Sequence, residues 1–276
     1  MKRWIIALGT AWLLALGGAR ADAAGRTLTF GIVPQQAASK LAMLWGPVLG
    51  YLSGKTGFEL VFKTAPNIPE FERRVRAGEY DLAYMNPYHF TVFNRAPGYR
   101  AMARQAGARI KGIIVVRRDD TVRDLAGLAG TELAFPAPAA FAATLLPQAE
   151  LRQQGVPFTA RYVSSHDSVY RGVAKGLFPA GGGIQRTFEN VAPEVREQLR
   201  ILWHTKGYTP HAIAAHPSLD EETFLKVQTA MVQMNESAEG RALLAAIKFD
   251  GLQAATDADW DDVRALRIGV LSEDRR

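Results

Sequence analysis

From residue 27 to 33 the chain alternates, with Leu28, Phe30, Ile32 and Val33 supplying β-forming side chains before Pro34. That pattern predicts a first strand. Beyond Ser39 the spacing changes: Leu41, Leu44, Trp45, Val48 and Leu52 recur at the period of a helix face, and Gly54 and Gly57 close it. Residues 58–63 predict a second strand. Asn67, with Pro69 and Glu70 behind it, carries the signature of a capped helix start, and that helix ends near Gly78. Residues 80–85 predict a third strand, followed by Asn86-Pro87 and a helix from about Tyr88. The apolar run 111–117 reads as a long strand. A second series then follows: a helix near 121–128, a strand from Thr131, a helix from Ala139, a strand at 159–163, a helix from about Asp167 and a strand at 199–203. Residues 179–183 read as a glycine-rich turn. Helices at 221–235 and 259–266 close the chain.

This alternation predicts an α/β protein with mainly parallel sheets flanked by helices. Apolar strands recur in two series with the Ile113 strand between them, which predicts two lobes. The expected division is 27–112 plus 212–276 for the first lobe and 113–211 for the second. The Ile113 strand and residues 208–214 are the expected crossings.

The N-terminus changes the picture. Lys2 and Arg3 precede a run from Trp4 to Leu16 that is apolar apart from Thr10, and small residues flank Arg20 and Asp22. Residues 1–21 therefore read as a cleavable signal peptide, cut after Ala21 or Ala23. The run is shorter than the roughly 20 residues of a membrane span. Export to the periplasm is the expectation. The chain has no cysteine, which excludes a disulfide, a thiol nucleophile and a thiolate metal site. Its formal charge of +6 falls to about +3 without Lys2, Arg3 and Arg20, too little to argue for nucleic acid or a membrane surface.

Two constellations invite chemistry and do not support it. Ser165-His166-Asp167-Ser168 lies within one turn and cannot easily form a nucleophile–base–orienter chain. His204, His211 and His216 do not share a helix face and have no carboxylate at ligand spacing. No metal or cofactor is expected.

The order of motifs is more specific. Gly31-Ile32-Val33-Pro34, Trp45-Gly46-Pro47, Thr64-Ala65-Pro66-Asn67, the stretch from Gly78 to Ala83, and Ser165-His166-Asp167 follow one another along the chain. In that order they resemble the periplasmic binding proteins of phosphonate, phosphite and phosphate ABC importers, over roughly residues 27–250. The resemblance implies a two-lobed periplasmic binding protein fold, joined by two crossing strands, that closes by a hinge on a small-molecule ligand and catalyses nothing. It implies a monomer serving an ABC permease, or a membrane sensor as the alternative; an exported enzyme on the same scaffold is a further alternative.

The family's ligand residues carry over poorly. A run of Asp-Pro-x-Ser-Thr-Ser-Gly places hydroxyls at a helix start in the family, and here the matching positions 137–143 hold only alanine, proline and phenylalanine. The family's aromatic after the third strand falls at Met85, its second-strand tyrosine near Ile68, and its Val-Asp-Ala turn at Phe178-Pro179-Ala180. His166, between Ser165 and Asp167, remains at a matching position. The resemblance thus implies a ligand other than a standard phosphonate.

The expected ligand residues combine both readings. Ala140, Phe141, Ala142 and Thr144 stand at a helix start whose backbone N–H groups attract an anion. Tyr84, Asn86 and Tyr88 follow a strand end, where open α/β sheets bind ligands. Gln35 and Gln36 follow the first strand, His166 opens a helix, Gly182 permits close backbone approach, and Arg186 supplies a fork for a carboxylate or phosphate.

Overall fold

The computed structural model describes residues 25–271, which form two sheets covered by helices. The segment 1–21, expected to be a signal peptide, lies outside the described residues. No helix among the described residues is long and apolar enough to cross a membrane.

The first stretch comprises β1 (Thr27–Ile32), α1 (Ala38–Thr56), β2 (Glu59–Lys63), α2 (Ile68–Arg76), β3 (Leu82–Met85), α3 (Pro87–Phe93) and β4 (Arg100–Gln105). The second holds β5 (Gly112–Arg117), β6 (Thr131–Phe135), α4 (Leu146–Gln153), β7 (Phe158–Tyr162), α5 (His166–Ala174), β8 (Ala180–Ile184), α6 (Gln185–Glu189), α7 (Pro193–Arg196) and β9 (Leu199–His204). The chain ends with β10 (Ala212–Ala215), α8 (Glu221–Gln233), α9 (Ala238–Ala246), β11 (Leu252–Ala254) and α10 (Asp261–Arg264).

Strand order is β11-β4-β10-β3-β1-β2 in one sheet and β7-β6-β8-β5-β9 in the other. The chain leaves the first sheet after β4, builds the whole second sheet, and returns as β10. The two connections, 106–111 and 205–211, run side by side. Ile110 donates from its backbone N–H to Tyr208 O at 2.8 Å and accepts from Tyr208 N at 3.0 Å. β5 lies inside the second sheet between β8 and β9, so the crossing precedes the Ile113 strand rather than being formed by it.

The sheets are mixed, not mainly parallel. β1 pairs in parallel with β2 and β3, and β6 with β7 and β8. The strands beside the crossings, β5 and β10, pair antiparallel with both neighbours. A strand that enters from the other lobe is free of the right-handed βαβ crossover that makes its neighbours parallel.

Local sequence accounts for most boundaries. Gly57 ends α1 in a left-handed conformation (φ +73°), donating to Ser53 O. Asn67 caps α2 by accepting from Glu70 N at 2.9 Å, and Ser165 caps α5 by accepting from Ser168 N at 3.1 Å. The helix expected near 121–128 is only a short 3-10 turn, Ala126–Leu128. Asp120 and Asp124 accept from Val122 N and Gly127 N there, which closes side-chain turns in place of a helix.

β5 is buried on both faces. Ile113 and Val115 meet Val169, Tyr170 and Val173, while Ile114 and Val116 meet Leu133 and Leu151. This explains why its sequence is a continuous apolar run instead of an alternation. The expected turn at 179–183 is instead the fully buried strand β8. Its glycines answer to crowding: a Cβ on Gly181 would fall 2.4 Å from Val169, and one on Gly183 2.2 Å from the Tyr170 hydroxyl.

Candidate functional site

The carboxyl ends of β1, β3, β6 and β8 point into the seam between the lobes, the usual position of a ligand site in open α/β sheets. Val33, just past β1, donates to Tyr84 O at 3.1 Å, so the exits of β1 and β3 are tied together. Gln35 and Tyr84 come from this side. Opposite them, β6 runs through Pro136-Ala137-Pro138 into a π-helical turn, Phe141–Leu145, that leads into α4. His166 opens α5, and Arg186 is the second residue of α6.

The helix start has no side-chain cap. Thr144 and Leu145 both donate backbone N–H groups to Ala140 O, at 2.8 and 3.3 Å. The N–H groups of Phe141, Ala142 and Ala143 precede these bonds, and no side chain caps the turn. The backbone of the turn is also tightly packed, which requires glycine at the strand positions facing it. A Cβ on Gly112 would lie 1.9 Å from Ala142 O, and one on Gly182 would lie 1.9 Å from Ala143 O. The turn is therefore pressed against the backbones of β5 and β8. Phe141 sets its ring edge-on to Tyr208 of the second crossing, with centroids 5.5 Å apart.

Several polar contacts join the lobes. Arg186 donates from Nη2 to Gln35 Oε1 at 3.0 Å, and Gln35 Nε2 lies 2.9 Å from His211 Nε2. The backbone N–H of His166 donates to Gln35 O at 3.1 Å. Asn86 caps α3 through His89 N and donates from Nδ2 to Ala139 O at 3.2 Å. Lys40 donates its ammonium to Asn190 O. The Tyr84 ring stacks on His211 at 4.9 Å and lies 4.8 Å from Trp45. Arg186 sits over the rings of Tyr84 and Phe249, at 5.6 and 5.5 Å.

Burial sets the protonation of this network. It pushes the His166 imidazole down to about 3, with the nearby Arg186 charge acting in the same direction. His211 is held well below its ordinary value, first by burial and then by Arg186. Both rings are neutral at pH 7. The Gln35 amide then donates to an unprotonated His211 Nε2 while its carbonyl accepts from Arg186. Burial also raises the Tyr84 phenol, which stays un-ionised.

Two spaces open in the seam. At the helix start a hollow of about 10 Å³ is lined by Gln35, Asn86, Ala140, Phe141, Ala142, His166 and His211, among others. That is room for about one water molecule. Beside it lies a cavity of about 620 Å³, bounded by Tyr84, Arg186, Phe249, Lys248, Pro210 and the crossing 107–111. Its size is within the ordinary range of small-molecule sites.

The expected site residues divide accordingly. Gln35, Asn86, Ala140, Phe141, Ala142 and His166 converge on the small hollow. Tyr84 and Arg186 line the large cavity. Gln36 is buried beside Gln35 and Trp45, and its Nε2 has no hydrogen-bond partner among the described residues. Three others lie elsewhere. Tyr88 faces away from the seam, its hydroxyl accepting from Leu271 N at 2.8 Å. Thr144 is fully buried behind the turn. Gly182 lies within β8 against the Ala143 carbonyl. His211, Phe249, Lys111 and Lys248 are not among the expected ligand residues; only His211 carries a signal, its place in the expected crossing 208–214. Among the described residues no group of three or more His, Cys, Asp or Glu is placed to hold a metal.

Comparison with known proteins agrees with this architecture. Residues 30–260 match the model of a family described as the periplasmic substrate-binding protein of phosphonate ABC transporters. The phosphate-import protein PhnD of Mycolicibacterium smegmatis is 23% identical over 280 residues, covering 86% of this chain and 84% of the relative. A binding-protein component of a phosphonate ABC transporter from Pseudomonas aeruginosa superposes with a TM-score of 0.81 at 18% identity, over 88% of this chain and 86% of that one. PhnD1 from Prochlorococcus marinus, solved with methylphosphonate, gives 0.79 at 18% identity, over 87% and 97%. The match across most of the chain, on a fold of two sheets joined by paired crossings, places this protein in the family of periplasmic substrate-binding proteins of phosphonate ABC transporters.

Proposed function

We propose that this chain is the periplasmic solute-binding component of an ABC importer, and that its ligand is not a standard phosphonate. The observation that carries the second part is the helix start at Ala140–Ala143, where alanine and phenylalanine stand in place of capping hydroxyls and the hollow has room for about one water. A hydrogen bond to a charged group is worth about 1.5–3 kcal/mol. The loss of several such bonds lowers phosphonate affinity by decades.

In this reading the lobes move about the paired crossings at 106–111 and 205–211, and closure traps the ligand in the seam. Ligand shifts the population towards the closed form, which a membrane permease receives. The protein works as a monomer, exported by residues 1–21. No catalytic step is involved, in keeping with a family of substrate-binding proteins.

The test is a thermal-shift and calorimetric panel of phosphate, phosphite, methylphosphonate, carboxylates and amino acids. The expected result is stabilisation by an organic solute and none by methylphosphonate. Sub-micromolar methylphosphonate binding overturns the changed specificity. Radiolabelled uptake that requires both this protein and a permease tests the transport role, and N-terminal sequencing of the mature protein tests export.

A further inference from the structure

Positive charge in the seam is concentrated away from the helix start. Around the 620 Å³ cavity stand Arg109, Lys111, Arg186 and Lys248, against Glu189 and Asp250. Arg109 is already engaged, pairing with Asp262 at 2.9 Å and donating to Gly207 O and Thr209 Oγ1. Glu189 accepts from Gln185 at 2.9 Å. Among the described residues, Arg186 has no carboxylate partner, and neither have Lys111 and Lys248.

Arg186 is also oriented. Its guanidinium sits over two aromatic rings and holds one hydrogen bond, to the neutral side chain of Gln35. A guanidinium has five N–H donors in a fixed plane. Only Nη2 is used, so most of the fork is left for a bidentate acceptor. The walls around it combine this cation with the apolar faces of Tyr84, Phe249 and Ile110.

Resting on the solute-binding reading above, we propose that the ligand is an organic anion bound in this cavity and not at the helix start. Arg186 pairs with its carboxylate or phosphate oxygens, Lys111 and Lys248 add charge at the rim, and Tyr84 and Phe249 flank an apolar or aromatic body. A bare phosphate or methylphosphonate leaves most of so large a cavity to water. An anion with an apolar body displaces that water and meets the aromatic walls.

The experiment uses the mature protein and four probes: phenylacetate, phenylphosphate, inorganic phosphate and methylphosphonate, with neutral sugars and amino acids as a control panel. Binding is read by calorimetry on wild type, Arg186→Gln, Lys111→Met and Ala140→Val. Phenylacetate or phenylphosphate is expected to bind, at least tenfold more weakly to Arg186→Gln, several-fold more weakly to Lys111→Met, and within threefold of wild type to Ala140→Val. Which of the two binds identifies the oxyanion. Lys111 is exposed, so its variant keeps the test valid if Arg186→Gln fails to fold. Organic-anion binding that ignores both cation substitutions, or that is lost in Ala140→Val alone, overturns this placement. So does binding confined to the bare anions or to a neutral solute, and either result leaves the solute-binding role standing. No binding by any probe or control defeats both.

Discussion

Arg186 and Gln35 meet across the seam, the guanidinium donating from Nη2 to the amide oxygen at 3.0 Å. They are 151 positions apart, one just past β1 of the first sheet and the other in α6, just past β8 of the second. The same amide donates to His211 in the second crossing, so one side chain joins both lobes and a connection between them.

Gln35→Leu removes both bonds at once and leaves a buried imidazole nitrogen and a guanidinium unpaired. The closed form loses about 1–3 kcal/mol, the cost of an unsatisfied buried polar group. Small-angle scattering is expected to give a larger radius of gyration for Gln35→Leu than for wild type. An unchanged radius removes Gln35 as a closure contact.

Protonation gives the second prediction. The His166 ring is held at about 3 in the folded chain against an unfolded value of about 6.5, and His211 is shifted in the same direction. Below pH 6.5 the unfolded chain therefore binds protons that the folded chain does not. Stability is fully present above that pH and falls as pH drops, by up to about 1.4 kcal/mol per pH unit for each ring. Glu70 and Asp220, both held at about 2 by hydrogen bonds to neighbouring groups, add to the loss only at lower pH. Urea denaturation at pH 7, 6 and 5 is expected to show a falling midpoint, less steep in His166→Gln. A flat profile from pH 7 to 5 contradicts buried neutral histidines.

Packing of the helix start gives the third. Gly112→Ala directs a methyl group at the Ala142 carbonyl, only 1.9 Å away. A backbone carbonyl held between β5 and β8 cannot rotate aside, so the expected cost is about 1–3 kcal/mol. At roughly 2–4 °C per kcal/mol for a chain of this size, the unfolding temperature drops by several degrees. Gly46→Ala is the control, because nothing lies within 4 Å of a Cβ there.

The fourth prediction restores what the helix start lacks. Ala140→Ser with Ala142→Ser supplies two hydroxyls to a turn that no side chain caps. Methylphosphonate affinity is expected to rise at least tenfold over wild type, at about 1.5–3 kcal/mol for a bond to a charged group. Calorimetry on both proteins decides it. An unchanged affinity means that space, not hydroxyl loss, limits phosphonate binding.

Local chemistry made much of the scaffold legible. The alternation of β1, the helical stripe of α1, the Asn67 cap and the Ser165 turn each specify their element through bonds or burial within a few residues. The sequence by itself also determined the family, since an ordered series of short motifs along one chain seldom arises by chance. Other elements gave weak signals. β10 and β11 are short, and they and β4 pair with partners distant in the chain. The glycines of β8 imitate a turn, because the demand for small residues there comes from Val169, Tyr170 and the Ala143 carbonyl.

The site divides along the same line. Residue identity alone determined that positions 137–143 carry no hydroxyl. Only the tertiary structure decided that Gln35, Arg186 and His211 form one network, that Phe249 backs the guanidinium, and that the open space lies beside the crossings. Those relationships depend on two lobes meeting, and a contact between segments so far apart leaves no period, cap or spacing in the chain.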